Sequence, residues 1–266
     1  MIEVYSQNNN RIEDIVRIPV ETATNKAVAS TILEGNLTIP VNTNITKGIV
    51  VFAHGSGSSR HSPRNGYLAQ ALNKDGLATL VVDLLTQGEE ESDIRTEKMR
   101  CKIPGLILNK FNIKLLADRL KTITDWLPTT TYFETNGFII GYFGASTGAA
   151  AALIAAAERA NLVGAIVCRS GRPDLVAHDV LSKVQAPTLL IVGGNDDKKV
   201  IDLNNDTINR LCNIQKKKVV IVSGATHLFE EPESLDNVAK LASGWFRCYF
   251  LIKQHSDDCR RRPSTS

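Results

Sequence analysis

Several absences narrow what this chain can be. It has only five cysteines, Cys101, Cys168, Cys212, Cys248 and Cys259. The number is odd and the spacings are not those of a metal-ligand set, which argues against a disulfide framework and for a reducing compartment such as the cytoplasm. An excess of one charge is also lacking. The 31 Lys and Arg against 28 Asp and Glu leave a net charge of +3, too weak a field to imply a nucleic-acid partner. No apolar run approaches the roughly 18–20 residues of a membrane span. The first ten residues are polar and include Glu3, unlike the apolar centre of a secretory signal. What is present is a chain of 266 residues, 43% hydrophobic and 22% charged, sufficient for one large core.

The hydrophobic pattern changes character along the chain. Residues 12–20 alternate apolar and polar, and residues 30–39 do so again around Gly35-Asn36, which predicts two antiparallel strands opening a sheet. From residue 48 onward the apolar runs are continuous, at 49–53, 78–84, 138–143, 165–167, 188–192 and 219–222. Continuous runs suit strands covered on both faces. Helical spacing lies between them, at 67–74, 113–126, 147–159, 200–211 and 235–252. The alternation predicts a doubly wound α/β domain over 1–254, with a mostly parallel sheet, helices on both faces and antiparallel strands at the N-terminal edge. Residues 255–266 are charged, end in Pro-Ser-Thr-Ser and read as a disordered tail. Residues 86–112 hold the acidic run Glu89-Glu90-Glu91 and the apolar run from Ile103 to Leu108. They fit no core element, and read either as a lid or as a solvated excursion.

The most specific local signal is Gly144-Ala145-Ser146-Thr147-Gly148, between an apolar strand and an alanine-rich helix. A serine flanked by glycines at such a junction is the pattern of a nucleophile elbow. Its hydroxyl needs a general base, and histidine titrates in the right range. Of the five histidines, His227 closes the loop after the strand at 219–222, at the carboxyl end of the sheet where sites of open α/β folds gather. An imidazole in this role needs a carboxylate to orient it. Gly193-Gly194-Asn195-Asp196-Asp197 follows the strand at 188–192. Asp196, nearer the strand, is preferred as the acid and Asp197 is its rival; either would also serve to cap the next helix. The order Ser146, Asp196, His227 is that of the α/β-hydrolases. Amide donors for an oxyanion are expected from Thr147 and from Ser56, or alternatively Gly57, in the loop His54-Gly55-Ser56-Gly57-Ser58-Ser59. That loop lacks the lysine of a phosphate-binding P-loop, and His54 reads as a structural hydrogen-bonding residue.

Taken together, the chain resembles an α/β-hydrolase of the dienelactone-hydrolase-like group. The residues that carry the likeness are the run from His54 to Asn65, the pentapeptide around Ser146, Gly171-Arg172-Pro173-Asp174-Leu175, the loop at Asp196, and Gly224-Ala225-Thr226-His227-Leu228-Phe229. They extend over most of the chain, from Gly48 to Phe246. The resemblance implies hydrolysis of esters or lactones of small molecules, with no cofactor and no metal. One departure is that dienelactone hydrolases use a cysteine nucleophile where this elbow carries Ser146, which favours esters in general over a named lactone. A thioesterase or an acyltransferase would use the same residues. A non-catalytic interaction protein with this fold is the alternative of another class, opposed by the retention of nucleophile, acid and base together.

Arginines also gather at the predicted strand ends: Arg60, Arg64, Arg169 and Arg172. Guanidinium groups capture carboxylates, so Arg60 and Arg172 are candidates for binding an acidic group of the substrate. Pairing with Asp174, Glu230 or Glu231 is the structural reading of the same residues. The sequence leaves a monomer and a homodimer equally open.

Overall fold

The computed structural model describes residues 11–24, 27–41, 48–99, 108–131, 133 and 138–261. The chain opens with β1 (Arg11–Thr24) and β2 (Ala27–Pro40), an antiparallel pair. Val16, Ile18 and Val20 on β1 and Leu33, Leu37 and Ile39 on β2 point into the core, while Ile15 and Ile32 face outward, as the period of two requires. The following strands β3 (Gly48–Ala53), β4 (Ala78–Val82), β5 (Ile139–Ala145), β6 (Val163–Arg169) and β7 (Thr188–Gly193) are buried at every position. On the last strand, β8 (Lys217–Val222), only Val222 is buried.

The eight strands form one sheet in the order β1-β2-β4-β3-β5-β6-β7-β8. β2 meets β4 antiparallel, and every later pairing is parallel. This is the expected mostly parallel sheet with antiparallel strands at the N-terminal edge. Its register puts Ala53 beside Gly144, Ala145 beside Arg169, Arg169 beside Ile191 and Gly193 beside Val222. The carboxyl ends of β3, β5, β6, β7 and β8 are thereby brought to one edge.

Helices cover both faces. On one, Leu68 and Leu72 of α1 (Pro63–Lys74) join Phe246 and Phe250 of α7 (Ser234–Arg261) against Val50, Phe52 and Phe143. On the other, α3 (Ile113–Trp126) and α4 (Thr147–Glu158) pack over Val51, Leu80 and Ile140. The alanines of α4 are buried from Ala149 to Ala152 and again at Ala155 and Ala156, which lets it lie close to the sheet. α2 (Gln87–Met99), the single turn α5 (His178–Leu181) and α6 (Lys198–Arg210) complete the helices that the argument uses. No helix among the described residues is long and apolar enough to cross a membrane.

Two segments differ from expectation. Residues 87–99, read as a lid or a solvated excursion that fits no core element, form the regular helix α2. Thr86 and Glu89 build a reciprocal cap: the Thr86 N–H donates to Glu89 Oε2 at 2.8 Å and the Glu89 N–H to Thr86 Oγ1 at 3.3 Å. The acidic run then lies in the first turn, where the helix dipole favours it. Asp93 fastens α2 to the turn before α3 by accepting from the amides of Asn109 and Lys110, both at 2.8 Å. The apolar run ending at Leu108 otherwise lies outside the described residues. At the C-terminus, α7 continues to Arg261 through most of the segment expected to be a tail. No glycine or proline stands between Trp245 and Arg262 to stop it, and Pro263 is the first breaker. Residues 262–266 lie outside the description.

Glu89 also receives both terminal nitrogens of Arg119, at 2.7 and 2.5 Å, and the Arg119 side chain is almost wholly buried. Burial alone would raise the Glu89 pKa, but the bonds from Arg119 and Thr86 prevail and hold it below the ordinary value of 4.5. A carboxylate with a depressed folded pKa stabilises above its unfolded pKa and stops doing so as the pH falls through the folded one. Glu89→Gln is expected to cost about 2 kcal/mol at neutral pH. In urea titrations, the gap to the parent protein should narrow as the pH is taken below 4.5.

Candidate active site

Ser146 sits between β5 and α4 with φ 49° and ψ −118°, a left-handed backbone that costs a non-glycine residue of order 1–3 kcal/mol. Close packing on both sides imposes it. A Cβ on Gly144 would lie 2.5 Å from Ala149 Cα, and one on Gly148 would lie 2.1 Å from the Ala53 carbonyl oxygen. Neighbouring backbone fixes the turn as well. The Ser146 N–H donates to the Arg169 carbonyl at 3.1 Å, and the Ser146 carbonyl accepts from Ala149 and Arg172 at 3.1 and 3.2 Å. The serine is held by the ends of two adjacent strands and by the loop after β6.

Asp196 and His227 meet across the next two loops. The His227 Nδ1–H donates to Asp196, with both carboxylate oxygens at 3.0 Å. The Asp196 side chain is 2% exposed and that of His227 is 38% exposed, so a buried carboxylate faces a ring open to the crevice. The two loops are bound together by the Gly194 N–H to Val222 carbonyl and Asn195 N–H to Ala225 carbonyl bonds, at 2.8 and 2.9 Å. Asp197, the rival acid, instead caps α6 by accepting from the Lys199 N–H at 2.8 Å. Sequence reasoning missed Ser170, whose hydroxyl donates to Asp196 Oδ2 at 2.6 Å. It is buried, and like Ser146 it has a positive φ, 41°. Its only signal in the sequence is its place directly after the apolar run that becomes β6.

The loop after β3 faces this group. A Cβ on Gly55 would lie 3.0 Å from the Ser146 Cβ. His54 has the structural role expected of it: Nδ1 donates to the Gly55 carbonyl at 3.1 Å and Nε2 accepts from the Leu84 N–H at 3.2 Å. Burial lowers its pKa despite the Gly55 bond and Asp83, so the ring is neutral. The Ser56 N–H donates to Thr147 Oγ1 at 2.9 Å, which ties this loop to the residue after Ser146. The amide of Thr147, the first residue of α4, has no acceptor within the helix. A cavity of about 270 Å³ opens above the loop, with Ser56 and Gly57 on one side and Glu90, Asp93 and Ile94 of α2 on the other. α2 thus covers the space beside Ser56.

Arg60 and Arg172, expected to meet an acidic substrate, are occupied by the protein. Arg60 Nη1 and Nη2 donate to Asp83 and Glu34 at 2.5 and 2.7 Å. Arg172 grips Asp174 through Nε and Nη2, at 2.8 and 2.7 Å. Both arginines hold loops in place, and the substrate-binding assignment made for them is set aside. Among the described residues, no cluster of His, Cys, Asp and Glu is arranged to hold a metal ion.

The elbow makes Gly148 the least replaceable residue of the group. The added methyl of Gly148→Ala would meet backbone, which cannot rotate away, so the strand-helix junction must open. A loss of about 2–3 kcal/mol in urea unfolding is expected.

Comparison with known proteins gives the family and the fold. Residues 33–256 match the dienelactone hydrolase family. A crystal structure of a dienelactone hydrolase from Anabaena variabilis is 50% identical, with a TM-score of 0.72 over 88% of this chain and 98% of that one. Est1E from Butyrivibrio proteoclasticus, 14% identical, shares the fold, with a TM-score of 0.62 over 90% and 99% of the two chains. A Mycobacterium tuberculosis protein provisionally named a phosphoribosyl transferase is 50% identical over 212 residues, 80% of this chain. The chain spans 43% of the length of that curated relative. On the family match and the 50% identity to the Anabaena variabilis protein, the chain belongs to the dienelactone hydrolase family.

Proposed function

We propose that this chain hydrolyses carboxylic esters of small molecules through an acyl-enzyme formed on Ser146. The observation that carries the reading is the strained backbone of Ser146 at the strand-helix junction, a conformation retained where a hydroxyl must stand clear of the sheet. His227 supplies the base. Because its Nδ1–H is directed at Asp196, the lone pair of the neutral ring is on Nε2, which takes the serine proton as the oxygen attacks the ester carbonyl. Asp196 then stabilises the imidazolium, and its own position depends on Ser170 and on the Asp197 N–H at 2.8 Å.

Charge developing on the carbonyl oxygen is met by the amides of Thr147 and Ser56. In the structure the Ser56 N–H is on the Thr147 hydroxyl, so its use as a donor requires that bond to be exchanged for one to the oxyanion. His227 returns the proton to the departing alcohol, and the acyl group remains on Ser146. In the second half, His227 takes a proton from water, the hydroxide adds to the acyl carbon, and the acid leaves as Ser146 regains its proton. The cavity beside Ser56 has room for a small acyl or alcohol group. The transferase name belongs to a protein more than twice as long as the part matched here, whereas the ester reading rests on residues of this chain.

Fluorophosphonate labelling and hydrolysis of short nitrophenyl esters test the proposal. Ser146→Ala should abolish labelling and lower kcat by at least about 10³-fold; turnover that survives the substitution would overturn the mechanism. Ser170→Ala removes one hydrogen bond to a charged group, which translates into about a tenfold fall in kcat. KM should stay within about twofold, because Ser170 acts through Asp196 and not on substrate.

A further inference from the structure

The acidic run Glu89-Glu90-Glu91 opens α2, and its three side chains go to different places. Glu89 holds Arg119. Glu91 accepts from Gln87 Nε2 at 3.0 Å and lies 3.8 Å from Arg95. The Glu90 side chain makes no hydrogen bond or ion pair among the described residues, and it is the member of the run that lines the cavity of about 270 Å³ beside Ser56. Four-residue spacing on α2 sets Ile94 next to Glu90 on one face of the helix. Leu85 and Leu116 line the same cavity, so the carboxylate stands at the border of an apolar slot.

The other charges of this wall are already matched. Asp93 accepts from the amides of Asn109 and Lys110. Lys110 Nζ is on Glu97 at 2.8 Å, and the neutral ring of His54 adds no charge. Asp83, whose field reaches Glu90, is held by Arg60. Burial, followed by the like charges of Asp83 and Asp93, raises the Glu90 pKa above its ordinary 4.5 against an opposing pull from Arg60. An apolar slot bordered by one unmatched carboxylate suits a chain with an alkyl stem and a cationic tip. A carboxylate in the same place would meet negative charge without a counter-ion.

We propose that Glu90 is a specificity-determining residue: the cavity takes the half of an ester that carries an ammonium group, and disfavours a carboxylate there. The alkyl stem lies against Leu85, Ile94 and Leu116, and the ammonium N–H groups donate to the Glu90 carboxylate. This reverses the acidic substrate that Arg60 and Arg172 suggested in the sequence. Selection among esters rests on Ser146 being the nucleophile; the binding of an alkylammonium ion in the cavity does not.

Two measurements separate these. In the first, thermal unfolding is followed with added hexylammonium or hexanoate. Hexylammonium should raise Tm of the parent protein and of Ser146→Ala by about 3 °C at tenfold excess over Kd, and hexanoate should raise neither. Glu90→Gln should lose the response to hexylammonium. Without a ligand, Glu90→Gln should be at least as stable as the parent at neutral pH, because an ionised carboxylate whose folded pKa is raised weakens the fold. In the second, nitrophenyl esters of 6-aminohexanoate, heptanoate and adipate vary only the tip of the acyl chain. Acetate esters of choline and of 3,3-dimethylbutanol make the same comparison for the alcohol half. In one series or the other, kcat/KM for the ammonium ester should exceed that for the neutral one by at least about fivefold, with adipate the slowest of the acyl series. High salt should shrink the ratio. Glu90→Gln should bring the esters of each series within about twofold of one another, and Glu90→Lys should place adipate ahead of 6-aminohexanoate. The proposal falls if hexylammonium leaves Tm of the parent unmoved, or if the ammonium esters of both series have no advantage, or if Glu90→Gln keeps the ratio of the parent. Should Glu90→Gln fail to fold, Glu90→Ala takes its place in both measurements under the same expectations. A Tm response to hexylammonium without turnover of any ester would keep the preference of the cavity and overturn the esterase reading.

Discussion

The absence of a side chain at Gly148 is the constraint on which the site depends. Only bare Cα lets the first turn of α4 touch the carbonyl oxygens of Ala53 and His54 at the end of β3. That contact forces the tight reversal at Ser146 and sets the distance between the serine and the loop of Ser56. The alanines that follow continue the same close approach along the helix. One steric condition therefore links Ser146, the loop of Ser56 and the packing of a whole helix on the sheet.

A second set of constraints acts across the sheet. Parallel register delivers the ends of β5, β6, β7 and β8 to one edge in consecutive order, and short bonds between their loops convert proximity into geometry. Ser146 leans on Arg169, Ser170 on Ile191 and Asp196, and Asn195 on Ala225. Several amides of these loops are thus paired across strands, as in the ladder itself.

Much of this was legible because the signals were local. The core strands are unbroken apolar runs, and α3 is bounded as expected because Asn112 caps it through the Leu115 N–H. Ser146, Asp196 and His227 could be chosen because each directly follows such a run. The α2 segment was harder: its mean composition is polar, and what orders it is contact with Arg119 and Asn109, distant in sequence. The cap of Thr86 and Glu89 was a readable signal, masked by Gly88 and by the acidic run. The bond of Ser170 to Asp196 and the partners of Arg60 depend on register between strands, which no local pattern reveals, whereas Asp174 and Glu230 were readable as arginine partners. Arg60 looked free for a substrate because Asp83 and Glu34 are far away along the chain.

The two ends of the candidate site stand on unequal ground. Ser146 follows a strand buried at every position, whereas His227 follows β8, the edge strand, whose ladder is paired on one side only. Local opening of a protein begins where few apolar contacts must be broken. Amide protons of β8 should therefore exchange ahead of those of β5, and fraying of the edge would displace His227 while Ser146 stays in place. The edge strand is thus the less firmly held of the two supports of the candidate site.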